Sequence, residues 1–439
     1  MTKNSLNHLK TALCLLPPLL LAVFFYLHFE TQVSIFSPIC RCATTAEADV
    51  VDRLRASATF LPLKDTRQGA ETWFISTLNA TSDPDGEARN LVFPSASSAG
   101  RLLCLAAPSR RDGTKNSYAL AWRDALPRGA ALLSGLAFVS ETAYDHVNIW
   151  HGLSSFVPFA SWHERGRCRA RPARWALFHH GEVRTATSAW LATLAEATTG
   201  VKVAIETFDR PGPVCLEEAV VFRANVAGMN NERLLRAADF MRCKARAHCR
   251  VAGTPDPSAL RVTLLFRRGG RAFKDEAAVE RVFRKECARV AGCRVTAAHA
   301  DGNMTFCDQV RLLSGTDVLV SAHGAQMTNL LFMDRNSSVM ELYPMGWKER
   351  AGGGQYVFRW MAGWAGMRHE GSWWDDTTDV EPCPDSPDIY SCWKNRRIGH
   401  DEAYFATWAA RVFAAAKERK ATGAAGERGR DAKICQCGK

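Results

Sequence analysis

The stretch Val318-Leu-Val-Ser-Ala-His-Gly-Ala-Gln-Met-Thr-Asn-Leu-Leu-Phe-Met333 decides the fold. A short apolar run rich in β-branched residues ends in a His-Gly-Ala turn, and a segment able to form a helix follows it. A strand, a tight glycine turn and a helix start suit phosphate, because unpaired backbone N–H groups and the helix dipole meet there. The alternative is an ordinary strand–turn–helix unit, and this stretch alone does not decide between the two.

The segments around this stretch alternate between strand and helix patterns. Apolar runs predict strands at residues 260–266, 293–297, 317–322 and 339–343, and helical spacing predicts helices at residues 275–288 and 305–314 and a helix start at 328–333. This alternation predicts a parallel sheet with helices on both faces. Ligands in such sheets bind at the carboxyl ends of the strands.

The first half of the chain has a less regular pattern. Short apolar runs lie at residues 131–139 and 175–179, an amphipathic helix is predicted at 185–198, and a strand at 217–222 ends this half. The length of 439 residues predicts two domains of ordinary size. A further long helix is predicted near the end of the chain, at residues 402–417.

The formal net charge of +11 is compatible with three anionic partners: nucleic acid, a membrane surface or a charged sugar donor. The sequence lacks zinc-finger spacing, RNA-binding sheet motifs and basic heptads, which disfavours nucleic acid. Part of the charge lies in segment 417–439, which is rich in Lys, Arg, Gly and Ala and predicts a basic disordered tail.

The N-terminus predicts a membrane anchor. Lys3 and Lys10 precede an apolar run at residues 12–29, close to the roughly 20 apolar residues that cross a bilayer. Because the basic residues lie on the N-terminal side, the positive-inside rule places the short tail in the cytosol and the body in the lumen. We therefore predict a single-pass type II signal anchor in the Golgi or ER membrane, with a cleaved signal peptide as the alternative.

The cysteines and glycosylation patterns agree with a luminal body. Fifteen cysteines suit an oxidising compartment. Closely spaced pairs are candidates for disulfides, although connectivity cannot be read from sequence: Cys243 with Cys249, Cys287 with Cys293, and Cys383 with Cys392. Three acceptor patterns for N-glycosylation begin at Asn79, Asn303 and Asn336. Neither C-x-C pair, at Cys40 or Cys435, has the partners of a zinc site, so we predict no metal.

Arginines and a carboxylate follow the predicted strands of the second half. Arg267-Arg-Gly-Gly-Arg271 comes directly after a strand, and guanidinium groups bind phosphate oxygens bidentately. Glu341, near the end of another strand, is a candidate for the ribose of a nucleotide. With the glycine turn, the predicted phosphate site contains Arg267, Arg271, His323, Gly324, Ala325, Thr328 and Asn329. Helix capping is the simpler role for the last two residues.

Asp145-His-Val-Asn-Ile-Trp-His151 carries the candidate proton-transfer groups of the first half. His151 is a candidate general base because imidazole titrates near neutrality, and Asp145 is the second candidate. A structural core histidine is the alternative. A hydrolase nucleophile elbow, a Walker loop and a dinucleotide glycine fingerprint are all absent from the sequence.

Four ordered segments resemble the C-terminal signature of glycosyltransferase family 61: Phe306-Cys-Asp-Gln-Val-Arg-Leu-Leu313, Asp317-Val-Leu-Val-Ser-Ala-His-Gly-Ala325, Thr328-Asn-Leu-Leu-Phe-Met333 and Val339-Met-Glu-Leu-Tyr-Pro344. Asn148-Ile-Trp-His151 resembles the family's Asn-x-x-His segment more loosely, with Ser155 in place of an acid. Asp275 stands where the family usually has Asn. The family includes plant β-1,2-xylosyltransferases and arabinosyltransferases and the animal EGF-domain O-GlcNAc transferase.

The resemblance implies a GT-B architecture, with two facing Rossmann-like α/β domains and a final helix that crosses back to the first domain. It also implies inverting transfer of xylose, arabinose or N-acetylglucosamine from a UDP-sugar to a glycan or glycoprotein hydroxyl, with no metal cofactor. A catalytically inactive luminal protein that binds glycan or nucleotide is the alternative. The predicted segments are a tail (1–11), the anchor (12–29), a stem (30–58), an acceptor-side domain (59–226), a nucleotide-sugar domain (227–381), a Cys-containing loop with a helix (382–416) and the basic tail (417–439).

Overall fold

A computed structural model describes residues 58–64, 90–222, 226–251, 258–300, 303–347, 354–376, 383, 389–423, 435 and 437. Apart from residues 58 and 124–128, these residues form one compact unit. The strands are β1 (Leu61–Pro62), β2 (Asn90–Phe93), β3 (Leu102–Ala106), β4 (Ser117–Ala121), β5 (Ala131–Glu141), β6 (Pro172–His179), β7 (Glu182–Arg184), β8 (Ala204–Ile205), β9 (Val214–Phe222), β10 (Leu260–Phe266), β11 (Cys293–His299), β12 (Val318–Ala322), β13 (Ser338–Tyr343) and β14 (Arg368–Trp374).

Helices connect and cover these strands. The α-helices are α1 (Ile149–Arg165), α2 (Ala189–Thr199), α3 (Asn231–His248), α4 (Glu276–Cys287), α5 (Phe306–Ser314), α6 (Val357–Trp364), α7 (Ile389–Asn395) and α8 (Glu402–Gly423). Short 3-10 helices lie at Gly113–Lys115, Val226–Gly228, Ala325–Phe332 and Gly354–Tyr356. The segment predicted as a helix start after the glycine turn is therefore the 3-10 helix Ala325–Phe332.

The second half forms the predicted parallel sheet. Its five strands lie in the order β11-β10-β12-β13-β14, and every neighbouring pair is parallel. Sequence-local caps fix the helices between them: the Asp275 carboxylate accepts from Ala278 N at 2.8 Å, and Thr305 forms a capping box with Asp308. The predicted order of strands and helices is confirmed in this half.

The resemblance implies a Rossmann-like domain in each half of the chain, and the first half differs from that expectation. Its nine strands form a mixed sheet in which β5 is parallel to β6 and β9, whereas β3, β4 and β7 are antiparallel to their neighbours. One reversal has a local cause. His180 and Gly181 between β6 and β7 both have positive φ, at 48° and 79°, which makes a tight hairpin turn whose twist matches that of the strands.

One apolar core fills the space between the two sheets. It joins residues of α1 and α2, such as Phe156 and Leu194, to residues of the second half, such as Leu319 and Phe332. A separate core covers the other face of the second sheet, under α4 and α8. Helix α8 was expected to cross back to the first half, but it packs on α4 instead, with Phe413 6.2 Å from Phe283 between ring centroids. Its apolar face is complementary to this sheet.

Six disulfides use twelve of the fifteen cysteines: Cys104–Cys215, Cys168–Cys437, Cys243–Cys435, Cys249–Cys307, Cys287–Cys293 and Cys383–Cys392. Two of the three proposed local pairs are confirmed. The Cys243–Cys249 pair is wrong, because each of these cysteines has a distant partner. Within the segment predicted as a basic tail, α8 continues to Gly423, Cys437 is bonded to Cys168 of the first half, and Cys435 is bonded to Cys243 of α3.

Removal of the tail should destabilise the protein. A chain ending at residue 423 loses the partners of Cys168 and Cys243, and each disulfide closes a loop of more than 190 residues. We expect the free energy of unfolding to fall by about 2–4 kcal/mol for each lost disulfide. Denaturant unfolding of both chains measures this loss, and mass spectrometry of a non-reduced digest identifies the pairs. Equal stability of the two chains would contradict the assignment.

Among the residues that the structure describes, no helix is long and apolar enough to cross a membrane. The predicted anchor at residues 12–29, the stem except for its last residue, Ala58, and the Asn79 sequon lie outside those residues. Asn303 and Asn336 are both described and exposed.

Candidate functional site

The predicted phosphate residues lie at the topological switch point of the second sheet. The chain starts this sheet at β10, adds β11 on one side and then returns to add β12 on the other. Connections leave in opposite directions at the carboxyl ends of β10 and β12, which opens the crevice where open α/β sheets bind their ligands. Arg267 follows β10 directly, and His323 and Gly324 follow β12. The fold therefore brings these three residues together.

The Arg267 guanidinium lies against the glycine turn. Its Nη1 donates to the His323 carbonyl oxygen and to Gln326 Oε1, each at 3.3 Å. Burial lowers the pKa of Arg267, although a guanidinium stays charged at any physiological pH. Within the described part of the chain, its buried Nε has no hydrogen-bond partner. A half-buried cation whose hydrogen-bond partners among the described residues are neutral oxygens is a favourable partner for an anion.

Gly324 is required by this close approach. A Cβ at this position would clash with the Arg267 guanidinium and with the Gln326 side-chain oxygen. The glycine thus lets the backbone of the turn and the arginine share one edge of the sheet. Ala325 follows it, half-buried, as the first residue of the 3-10 helix.

Arg271 reaches the same region from the turn after β10. Its backbone N–H donates to the Arg396 carbonyl oxygen at 2.9 Å, and its guanidinium lies 5.7 Å from the centre of the Trp347 ring. Burial is the main cause that lowers the pKa of His323, and the charges of Arg271 and Arg267 lower it further, so both guanidinium groups lie within electrostatic reach of the imidazole. Two arginines therefore face one buried histidine.

A buried network fixes His323 from behind. Its Nδ1 lies 2.7 Å from Glu341 Oε1, and His369 Nε2 lies 2.8 Å from Glu341 Oε2. Burial raises the pKa of Glu341, but the hydrogen bonds from His323 and His369 outweigh it and the pKa falls below its usual range. Burial also lowers the pKa of His323. The stable state is an ionised Glu341 with a neutral His323 that donates from Nδ1, which leaves the lone pair on Nε2.

This network changes the interpretation of Glu341. The side chain is fully buried, and both carboxylate oxygens bind imidazoles. No exposed oxygen is left for the predicted ribose contact. Glu341 instead orients His323, whose ring also stacks on Tyr343 at 4.7 Å and meets the edge of Phe358 at 5.4 Å. Hydrogen bonding and packing together hold the imidazole in one orientation.

Thr328 and Asn329 point into the core rather than to the surface. Asn329 accepts from Trp190 Nε1 at 2.9 Å and donates to the Gln326 carbonyl oxygen at 3.0 Å. It thus connects α2 of the first half to the 3-10 helix. Thr328 is fully buried, and its hydroxyl has no partner among the described residues. Both side chains therefore pack in the core beneath the Gly324 turn and stabilise it.

His151 lies in the first turn of α1, which begins after the Asn148 cap. Burial lowers the pKa of His151, while Asp145 raises it and Lys394 lowers it. The neighbouring Trp150 meets Phe358 edge to face at 6.1 Å, and Phe358 in turn contacts His323. The start of α1 is therefore connected to the switch point through a single aromatic ring.

Sequence reasoning missed two members of the site. His369 lies 28 residues after Glu341 on the next strand, and no local motif connects the two. Gln326 lies inside the quoted stretch, where its amide donates to the Ala322 carbonyl oxygen at 2.6 Å and accepts from Arg267. A long polar side chain directly after the glycine turn was the available signal for Gln326.

A parallel α/β sheet with a glycine turn and arginines at its switch point is the arrangement of nucleotide-binding α/β proteins. The family model described as Glycosyltransferase 61 matches residues 123–340, about half of the chain. The chain belongs to glycosyltransferase family 61.

Similar proteins share a short stretch with this chain. A 40-residue segment is 52% identical to protein O-linked-mannose β-1,4-N-acetylglucosaminyltransferase 2 of Mus musculus and of Homo sapiens, and covers 9% of this chain and 7% of each relative. The Xenopus laevis protein of the same name is 50% identical over 42 residues, 10% of this chain and 7% of its own length. The match to the structure of the dodecameric iron-containing heptosyltransferase TibC, solved with ADP-D-β-D-heptose, covers 79% of this chain and 98% of TibC, with 8% identity and a TM-score of 0.28.

Proposed function

We propose that this protein is an inverting glycosyltransferase that moves a sugar from a UDP-sugar to a hydroxyl of a glycan or glycoprotein. The observation that carries the proposal is the meeting of Arg267, Arg271 and the Gly324 turn at the β10/β12 switch point. This edge offers positive charge and little negative charge, because the only carboxylate of the network, Glu341, lies fully buried behind His323. Such an edge suits the diphosphate of a sugar nucleotide.

In this proposal the arginines stabilise the departing diphosphate. Negative charge develops on the leaving oxygen as the bond to the sugar breaks, and donors that already point there lower the barrier. Arg267 and Arg271 supply fixed cations. His323 supplies an Nε2 that gains a proton when the diphosphate binds, and the ionised Glu341 stabilises that imidazolium.

The acceptor hydroxyl must lose a proton during inverting transfer. We propose His151 as the base, with Asp145 as the second candidate. The contact path from Trp150 through Phe358 to His323 supports this assignment, and the lowered pKa of His151 keeps its imidazole neutral at physiological pH. The first sheet would then hold the acceptor, in the GT-B manner, and the donor would need no metal at the switch point.

We also propose a luminal location in the secretory pathway, with the chain anchored through residues 12–29. Six disulfides support an oxidising compartment. N-acetylglucosamine is the first donor sugar to test, because the curated relatives carry it in their name, and xylose and arabinose follow.

A donor screen on the full chain tests the proposal. UDP release is measured with UDP-N-acetylglucosamine, UDP-xylose and UDP-arabinose and a mixture of glycan and glycopeptide acceptors. We expect acceptor-dependent release with one donor and its loss in His151→Ala and Arg267→Ala. UDP binding without release from any donor would favour the inactive binding protein. The absence of both UDP binding and UDP release would contradict the proposed function.

Donor binding should weaken as the pH rises. Burial holds the pKa of free His323 below its ordinary value of 6.5, and a bound diphosphate raises it by favouring the imidazolium. The affinity is then highest below the pKa of the free protein and falls as the pH rises to the pKa of the complex. Calorimetric titration with UDP-N-acetylglucosamine, whose diphosphate diester keeps its charge near neutral pH, measures the slope. His323→Gln should remove that slope, and an unchanged slope in the variant would refute the role of His323.

A further inference from the structure

Two histidines and a glutamate meet at the carboxyl ends of two parallel strands in the first sheet. Glu141 is the last residue of β5, His179 is the last residue of β6, and His180 begins the turn to β7. Each side chain offers one ligand atom within 4.8 Å of the other two. This edge belongs to the other sheet and lies outside the switch-point site.

The hydrogen bonds of this cluster orient the side chains and leave some of their nitrogen and oxygen atoms available to bind a metal. His179 Nδ1 lies 2.8 Å from the Thr142 carbonyl oxygen, which can only accept, and 3.5 Å from Glu141 Oε1, so Nδ1 carries a proton and Nε2 is the nitrogen left to bind a metal. The Thr142 carbonyl thus orients the ring in the way that outer-sphere carbonyls orient zinc-binding histidines. Glu141 Oε1 accepts from the His180 backbone N–H at 2.6 Å, which fixes the carboxylate.

Two buried polar atoms in the cluster lack partners. In the described part of the chain, neither Glu141 Oε2 nor His180 Nδ1 has a hydrogen-bond partner. Unsatisfied buried polar atoms are uncommon in native proteins and often mark a water or an ion. Glu141 and His179 stay 25% and 19% exposed as side chains, so an ion can enter from solvent.

We propose that Glu141, His179 and His180 form a zinc site. Two imidazoles and one carboxylate are the ligand set of known zinc sites that keep a fourth position for water or substrate oxygen. Tetrahedral ligands at about 2.1 Å lie about 3.4 Å apart, so small side-chain rotations bring the three atoms together. Zn²⁺ with one carboxylate leaves a net charge of +1 at the centre, next to the Arg184–Glu182 ion pair of β7.

The proposed zinc site lies at the start of segment 142–148. Thr142, whose carbonyl orients His179, begins the segment 142–148 that carries Asp145 and leads to His151. A metal bound at its start fixes this segment to the ends of β5 and β6. No local motif indicates the site, because its ligands come from the ends of two strands that α1 separates in the chain.

Cobalt titration of the full chain tests the site without any sugar-transfer readout. We expect one Co²⁺ per chain, with the visible absorption of a tetrahedral ion, no thiolate-to-cobalt charge-transfer band, and displacement by one equivalent of Zn²⁺. Glu141→Gln and His180→Gln should each lose this equivalent. His146→Gln, a histidine of the same loop outside the cluster, is the matched control and should bind as the wild type does.

Three results would overturn the proposal. The first is that the wild type takes up neither Co²⁺ nor Zn²⁺, a result that does not depend on the folding of any variant. The second is a thiolate charge-transfer band, which would assign the ion to cysteines. The third is full uptake by both Glu141→Gln and His180→Gln.

Discussion

Arg267→Ala is expected to weaken binding of the UDP-sugar by about 30- to 1,000-fold. The substitution leaves a bound diphosphate without its nearest guanidinium, and loss of one partner from a buried charged pair costs about 2–4 kcal/mol. Arg267 lies at the switch point with one buried N–H free of partners in the described residues. Calorimetry with UDP and with the preferred UDP-sugar measures the loss.

Arg268→Ala is the matched control, because Arg268 is the next residue in the chain and is exposed. It should bind donor within a few-fold of the wild type. Arg267→Lys should recover only part of the affinity, since an ammonium group cannot make the bidentate contact of a guanidinium. Equal losses in Arg267→Ala and Arg268→Ala would show that general charge, and not the switch-point geometry, attracts the donor.

Glu341→Ala should lower the free energy of unfolding by about 2–5 kcal/mol, since it leaves two buried imidazole groups without their hydrogen-bond acceptor. It should also reduce donor binding, because His323 loses the group that fixes its tautomer. The depressed pKa of Glu341 sets the pH window. Its stabilisation is present above the ordinary value of 4.5 and is lost as the pH falls through the lower pKa of the folded state.

Glu276→Ala provides a matched control for this substitution. Glu276 pairs with His299 at 2.8 Å, the same kind of contact, but both side chains are about one-third exposed. Exposed pairs contribute little, so we expect a loss of about 1 kcal/mol or less. Denaturant unfolding with the disulfides intact compares the two variants. A Glu341→Ala protein as stable as Glu276→Ala would show that the buried network does not support the site.

The second sheet could be predicted because its information is local. Each buried strand is one apolar run, and each helix has a cap and an apolar face within its own sequence. The first sheet could not be predicted in the same way. Its antiparallel edges depend on pairings such as β3 with β9, which join residues more than 100 positions apart, as the Cys104–Cys215 disulfide shows.

The same distinction applies to the site. Arg267, His323 and Gly324 follow strands whose ends must meet in a parallel sheet, so their meeting follows from the pattern. The role of Glu341 depends on His369 across the sheet and on complete burial, and neither is a property of the local sequence. The docking of α8 and the disulfides of Cys435 and Cys437 were missed for the same reason.

The structure of the complex with UDP tests the central claim most directly. We predict that the diphosphate lies at the carboxyl ends of β10 and β12, within hydrogen-bond distance of the Arg267 guanidinium and next to the Gly324 turn. His323 Nε2 should face a phosphate oxygen, with Nδ1 still bound to Glu341. A diphosphate bound at the first sheet, or one that leaves Arg267 in its present contacts with His323 and Gln326, would contradict the account.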